Sequence, residues 1–554
     1  MRKILLLALC LFSVVSEAAP SDPLKRDWFK PAELKEVSLY AIQSGGRVKP
    51  FDTFAREGMS LLTGKEYFQG KNPVELVLSI LFEAQVWQKV EFIQISHIPL
   101  KKDLGLDEKK LFFTPDEVEH SVRLMPLFGE LDAKQRNQEK LNPYFQALQR
   151  LGNQLTFLQD LVSGRAVRLV PPTQEQYNKS DAWMGLDQLN EDMKLRFMLV
   201  AATFSNENPL IRSHMDEHVK KFHDLAVAVN PSLYPNRSDL ELEFFFSKAH
   251  LFRWAWIVAL LGIFVLSAAI WSEDKKIYWS GMGLYAVSFT LQIVGFVIRC
   301  LIAGRPPVSN MYESILWVGF GAMLFGLVLE LIYRKRIIAI GALVFCVLTL
   351  VIADNISGIL DAGIHPLEPV LRSNLWLTIH VLTITLGYAA FSLSMIIGNI
   401  GLGQIVVLGR ESEKLRMSNL AFFAYRAVQV GVVLLAAGTI LGGVWADYSW
   451  GRFWGWDPKE TWALIALLGY LALVHARFRG MVSHFGFLAG CVTAFLGVLM
   501  AWYGVNFVLG VGLHSYGFSS GGVGVVATYT SIQFLFVLYA AWLWKRNRQQ
   551  KKVA

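Results

Sequence analysis

The chain reads as mainly α: a polytopic helical membrane bundle of about nine spanning helices, preceded by a signal peptide and a mostly helical exported domain. Three observations lead there. Apolar runs near the ~20 residues needed to cross a bilayer recur from about residue 250 to the basic tail. Residues 20–245 are polar and hold no such run. The first 18 residues carry Arg2 and Lys3, an apolar stretch from Ile4 to Val15, and then Ser16-Glu17-Ala18, the small-x-small pattern that signal peptidase cuts.

Four segments follow in order: a signal peptide (1–18), an exported domain (20–245), a transmembrane domain (250–545) and a basic cytoplasmic tail (546–554). In the exported domain, the apolar periodicity of Glu75 to Val90, Pro143 to Leu161 and Asp192 to Thr203 predicts helices, with a mixed α/β fold as the alternative. Gly45-Gly46-Arg47-Val48-Lys49-Pro50 ahead of Phe51-Asp52-Thr53-Phe54 reads as a turn entering a helix, its basic pair either touching an anion or merely solvated. His214, His218 and His223 fall in SHMDEHVKKFHD, where the i, i+4 pair shares a helix face. That spacing suits zinc, but lacking a third ligand nearby the stretch reads as a solvated face.

Spanning helices are expected near 251–271, 278–302, 311–333, 336–353, 374–408, 421–444, 461–478, 484–506 and 523–544. From an exported start the first runs inward, so alternate connections face the cytoplasm and should be basic. Those connections hold Lys275, Lys276, Arg334, Lys335, Arg336, Arg410, Lys414, Arg416, Arg477, Arg479 and the tail residues Lys545, Arg546, Arg548, Lys551 and Lys552. The outer loops hold only Arg305, Arg372, Arg452 and Lys459. The formal net charge of +8 is therefore mainly a topology signal and gives no reason to invoke nucleic acid. A multi-pass protein of the bacterial inner membrane is expected, with its N-terminal domain periplasmic.

Five of the 17 tryptophans, Trp445, Trp450, Trp454, Trp456 and Trp462, fall within WADYSWGRFWGWDPKETW. An interfacial aromatic belt is the plain explanation. Yet Gly451, Gly455 and Pro458 break regular structure here, and Arg452, Asp457, Lys459 and Glu460 set charges among the rings. A planar ligand with ionised substituents fits that mixture better. The topology puts this loop on the same side as His380, at the outer end of the fifth helix, and His514, in VLGVGLHSYGFSSGG. Two imidazoles on opposite faces of a porphyrin make a six-coordinate haem, while Arg452, Lys459 or Arg305 meets the propionates.

These residues also carry a resemblance. WGRFWGWDPKETW is similar to the tryptophan-rich signature of the haem-handling protein superfamily, and specifically of CcsA, the membrane component of System II cytochrome c biogenesis. Arg305-Pro306-Pro307-Val308-Ser309-Asn310-Met311-Tyr312-Glu313-Ser314, the helix start around His380 and the glycine-rich loop around His514 resemble other segments of that family, over about 280–544. The resemblance implies haem b as substrate and ligand, His380 and His514 as external axial ligands, and a cradle of Trp450, Trp454, Trp456, Trp462, Arg452 and Lys459. His475 would match the intramembrane haem histidine; equally, it sits beside Arg477 in the inner basic cluster. A further intramembrane histidine belongs to a CcsB (ResB-like) half that this chain lacks, so such a partner is expected, with apocytochrome c as client.

Cys10 lies in the leader, and Cys300, Cys346 and Cys491 lie in spans. With no Cys-x-x-Cys the chain is not the thiol reductant, so separate thiol-reducing proteins are expected; with no Cys-x-x-Cys-His it is not a c-type cytochrome. Asp457, followed by Pro458, reads either as the cap of the next helix or as a proton-transfer group. Three functions stay open: a haem lyase component that attaches haem to apocytochrome, a haem exporter without ligase activity, and a membrane scaffold that docks a partner.

Overall fold

The computed structural model describes residues 23–25, 29–30, 32–137, 139, 141–206, 208–355, 360–367, 373–408, 413–510, 512, 514 and 522–553. The leader at 1–18 with Cys10, Arg372, Arg410, the loop residues Val511, Leu513, Ser515, Tyr516 and Gly517, and the side chains of Lys414, Arg416, Arg548, Lys551 and Lys552 lie outside the described residues. The chain divides between Ala249 and His250 into two compact units.

In the first unit, helices begin where the sequence supplies a cap. Asn72 and Asn142 accept the N–H groups of Val74 (2.9 Å) and Phe145 (3.0 Å), each just before a proline at the first helical position. Thr114 and Glu117 form a reciprocal capping box. Helices Pro143–Val162 and Glu191–Phe204 bury one face, and Pro73–Phe82 nearly its whole surface, in a shared core that includes Phe51, Phe54, Trp87, Leu148 and Phe222. Each such side chain contributes about 1.5–3 kcal/mol when removed from water. The periodicity of 75–90 does not give one helix: the backbone turns out of helical geometry at Glu83, and a short helix, Ala84–Trp87, follows.

Three antiparallel strand pairs accompany the helices: Ala41–Ser44 with Arg47–Pro50, Ile93–Gln94 with Phe112–Phe113, and Arg168–Val170 with Met184–Gly185. The Gly45-Gly46 pair is thus the tight turn of a hairpin, with both residues at positive φ. Its basic residues meet carboxylates of the same unit: Arg47 clamps Glu243 through bonds of 2.8 and 2.7 Å, and Lys49 pairs with Glu57. His214 directly precedes helix Met215–Val229 without a side-chain capping bond, and His223 on that helix stacks on Tyr40 at 5.9 Å.

Among the described residues of the second unit, nine helices are long and apolar enough to cross a membrane. They are Leu251–Ser272, Lys275–Ala303, Met311–Tyr333, Ile337–Asn355, Leu377–Val407, Met417–Trp450, Pro458–Phe478, His484–Leu509 and Val523–Asn547. The fifth is the most enclosed and the ninth the least. Phe391 on the fifth stacks on Tyr470 of the seventh at 3.7 Å. A short π-helical turn lies near the start of the fifth at Leu377–Val381, and a ten-residue π-helical segment, Met500–Leu509, ends the eighth; such geometry concentrates at functional sites. The sixth helix runs to Trp450, six residues beyond the expected 444, and stops where Gly451 turns left-handed with its N–H on the Asp447 carbonyl at 2.9 Å. Trp445 and Trp450 are therefore helical, and the tryptophan-rich loop is only 451–457.

Candidate functional site

Three connections converge at one end of the second unit. The π-helical turn at the start of the fifth span sets His380 against the sixth, where its Nδ1 lies 2.8 Å from the Gly438 carbonyl. A carbonyl oxygen only accepts, so Nδ1 carries the proton and the lone pair sits on Nε2. Trp445, one turn beyond Gly442 on the sixth helix, meets the ring edge-on at 5.7 Å. Gly442 is what allows this approach, since a Cβ there would lie 2.6 Å from His380 Cε1.

Asp457 starts the seventh helix. Its Oδ1 accepts the Lys459 N–H at 2.9 Å, and Glu460 returns to accept the N–H groups of Gly455 (2.8 Å) and Asp457 (3.2 Å). With Pro458 at the first helical position this is a complete capping box. The same Oδ1 stands 2.9 Å from Nδ1 of His514, whose ring is flanked edge-on by Trp450 at 5.2 Å. Trp456 sits just ahead of the cap at a φ of 56°, a left-handed conformation that costs a tryptophan on the order of 1–3 kcal/mol. Its ring is 71% exposed and perpendicular to Trp454 at 5.9 Å. Trp462 stands one turn into the seventh helix.

Cations border the loop. Lys459 Nζ reaches Asn506 Oδ1 at 3.5 Å, on the π-helical part of the eighth span, and the Arg452 guanidinium folds over Gly455. Arg305, ahead of the third helix, donates to Ser309 Oγ (3.1 Å) and the His365 carbonyl (2.8 Å). His475 is not brought to this end. It lies in the last turn of the seventh helix, about 27 Å beyond Asp457 at ~1.5 Å per residue, exposed on the bundle surface with Nδ1 on the Leu471 carbonyl at 2.7 Å.

The segment from Arg305 to Ser314 acts as scaffold. Asn310 caps the third helix by accepting the Glu313 N–H at 2.8 Å and donates to the Asp361 carbonyl at 3.1 Å. Glu313 accepts from the Ser309 N–H and hydroxyl, each at 2.7 Å, and from Arg299 Nε at 2.7 Å in a fully buried pair. Arg299 extends to the carbonyls of Ala362 (3.0 Å) and Gly363 (3.3 Å). Burial pushes Asp361 up, but the hydrogen bond and charge of His365, the Gly363 N–H and the Arg299 charge together outweigh it and hold the carboxyl below its ordinary range. So anchored, Val308 packs with Leu377 and Trp445 beneath His380, and Ser314 accepts the Trp502 indole N–H at 2.9 Å.

Sequence reading missed three contributors: Gly442, the Gly438 carbonyl, and the Asp457–His514 contact. Only the first left a local trace, in the small-residue spacing Gly438-x-x-x-Gly442 that permits close helix approach.

Residues 308–514 match the family described as cytochrome C assembly protein. The cytochrome c biogenesis protein CcsA of Prochlorococcus marinus (strain AS9601) is 34% identical over 298 residues, covering 48% of this chain and 96% of that protein. CcsA of Prochlorococcus marinus (strain MIT 9515) is 35% identical over 260 residues, covering 41% of this chain and 80% of that one. Protein NrfI of Wolinella succinogenes is 27% identical over 553 residues; the match takes in 92% of this chain but 58% of NrfI's own length.

Proposed function

This chain belongs, over its C-terminal region, to the cytochrome c assembly protein family, and from that premise we propose that it binds haem and presents it for covalent attachment to apocytochrome c. In this reading it is the CcsA-like component of a cytochrome c haem lyase in the bacterial inner membrane, its tryptophan-rich end facing the periplasm. The observation that carries the proposal is the pair of imidazoles, His380 beside Trp445 and His514 beside Trp450 and Asp457, each with Nδ1 held by an acceptor. Held so, both direct Nε2 as the ligating nitrogen, the arrangement typical of metal-bound histidine.

The remaining residues fit haem as substrate. The exposed indole of Trp456 and the half-buried one of Trp454 offer flat apolar faces, and Arg452 and Lys459 match two propionates. The basic bias of alternate connections supports the outward orientation of the site and of the N-terminal domain. The chain's contribution is then positional. Two thiols of a Cys-x-x-Cys-His segment add across two vinyl groups, sulfur bonding to one carbon and hydrogen to the other with no net oxidation. Fixing the ring edge relative to the incoming peptide supplies a proximity effect. Exposure of His475 on one of the least enclosed spans supports a CcsB/ResB-like partner helix packing there.

The test is expression of the chain with and without a CcsB-like partner in a strain lacking cytochrome c maturation, scoring covalent haem on a reporter cytochrome. Holocytochrome dependent on both proteins is expected. Haem copurifying with no thioether product would instead identify a haem exporter or delivery protein, and no haem at all a scaffold.

A further inference from the structure

We infer that Asp457 is a positioning residue that fixes His514 as an iron ligand and biases the bound iron toward its ferric state, an inference that rests on the haem-binding reading above. A helix cap needs only a side-chain oxygen, which serine, threonine or asparagine supplies equally well. A carboxylate 2% exposed carries a desolvation cost that capping alone does not require. The second partner explains the choice of residue: Oδ1 is shared between the Lys459 N–H and His514 Nδ1, both at 2.9 Å.

The backbone that brings His514 there is built to press on this carboxylate. Gly512, two residues earlier, holds a φ of +99°, and a Cβ at that position would run into Asp457 Oδ2 and lie 2.8 Å from Pro458 Cδ. Trp450 closes the opposite flank of the imidazole. The His514 ring is thus confined between an anion and an indole, with Nε2 as its ligating atom.

His380 differs in one respect: its Nδ1 faces the neutral Gly438 carbonyl. A hydrogen bond to an anion gives the imidazole more basic character than one to a carbonyl, and a more basic ligand favours the higher oxidation state of iron. Asp457 therefore makes the two axial positions unequal and lowers the potential of the site.

The experiment uses the full chain, purified in detergent with haem, as wild type, Asp457→Asn and Asp457→Ala, reading the absorption spectrum and the midpoint potential. Asparagine keeps an oxygen for both the cap and the imidazole and removes only the charge. Asp457→Asn is expected to retain the six-coordinate spectrum while the ferrous-to-ferric ratio at fixed potential rises about tenfold, equivalent to ~59 mV for one electron. Asp457→Ala is expected to lose the six-coordinate spectrum and to regain it with added imidazole. A wild-type potential in Asp457→Asn overturns the inference while the proposed function stands, because a purely capping role predicts that result. A wild-type chain that takes up no haem overturns both.

Discussion

Replacing Gly442 by alanine adds one methyl group against the proposed iron ligand. The new Cβ would lie 2.6 Å from His380 Cε1 and 3.0 Å from Nδ1. Carbon atoms rest at about 3.5–4.0 Å, so the ring must retreat by roughly 1 Å. Moving it that far stretches the 2.8 Å bond from Nδ1 to the Gly438 carbonyl beyond hydrogen-bonding range. Overpacking of this kind costs about 1–3 kcal/mol, and the lost hydrogen bond adds about 0.5–1.5 kcal/mol. At about 1.4 kcal/mol per tenfold, haem affinity should fall roughly tenfold to a thousandfold. The assay is haem per chain and the Soret spectrum of detergent-purified protein, with Gly469→Ala as control, because nothing lies within 4 Å of a Cβ at Gly469. Wild-type haem content and spectrum in Gly442→Ala would refute the placement of His380 against this helix.

Other perturbations test separate links. Glu313→Gln leaves the Arg299 charge buried without its partner and should cost about 3–5 kcal/mol, read as a lowered thermal midpoint, whereas Arg299→Met/Glu313→Met should recover much of that loss. Gly512→Ala combines left-handed strain with a clash on Asp457 Oδ2 and should reduce haem retention without altering melting of the spans; unchanged retention would count against the pressed loop. In the first unit, the side-chain hydrogen bond from Arg237, outweighing burial, lowers the Glu36 pKa from 4.5. A depressed carboxyl contributes stability above 4.5 that is lost as pH falls through the folded pKa. Arg237→Ala should therefore shift melting by at most about 1 kcal/mol at neutral pH, given the exposed guanidinium, and by nothing in stronger acid.

Much of this was legible in the sequence because it is local. An apolar run of ~20 residues has one common structural meaning, so the spans at 311–333 and 484–506 match the helices within a few residues. The Asp457-Pro458 start of the seventh helix is likewise written in adjacent residues. The overrun of the sixth helix to Trp450 was not legible in the hydropathy, since the apolar run ends at Val444 while the helix continues through Asp447, Tyr448 and Ser449 to the stop at Gly451. Gly45-Gly46 was read as a turn, but the strand pairing around it depends on partners on both sides. Contacts across long separations left the least trace: Asp457 and His514 lie 57 residues apart, and His380 and Gly438 lie 58 apart. No periodicity encodes such a meeting; tertiary packing alone creates it.

The central claim is that His380 and His514 share one iron. Absorption spectroscopy of the full chain purified in detergent with haem tests it most directly, comparing wild type with His380→Ala and His514→Ala. A low-spin, six-coordinate spectrum is expected in wild type, lost in each single variant and restored in each by added imidazole. Retention of the wild-type spectrum and haem content by both variants would contradict the account.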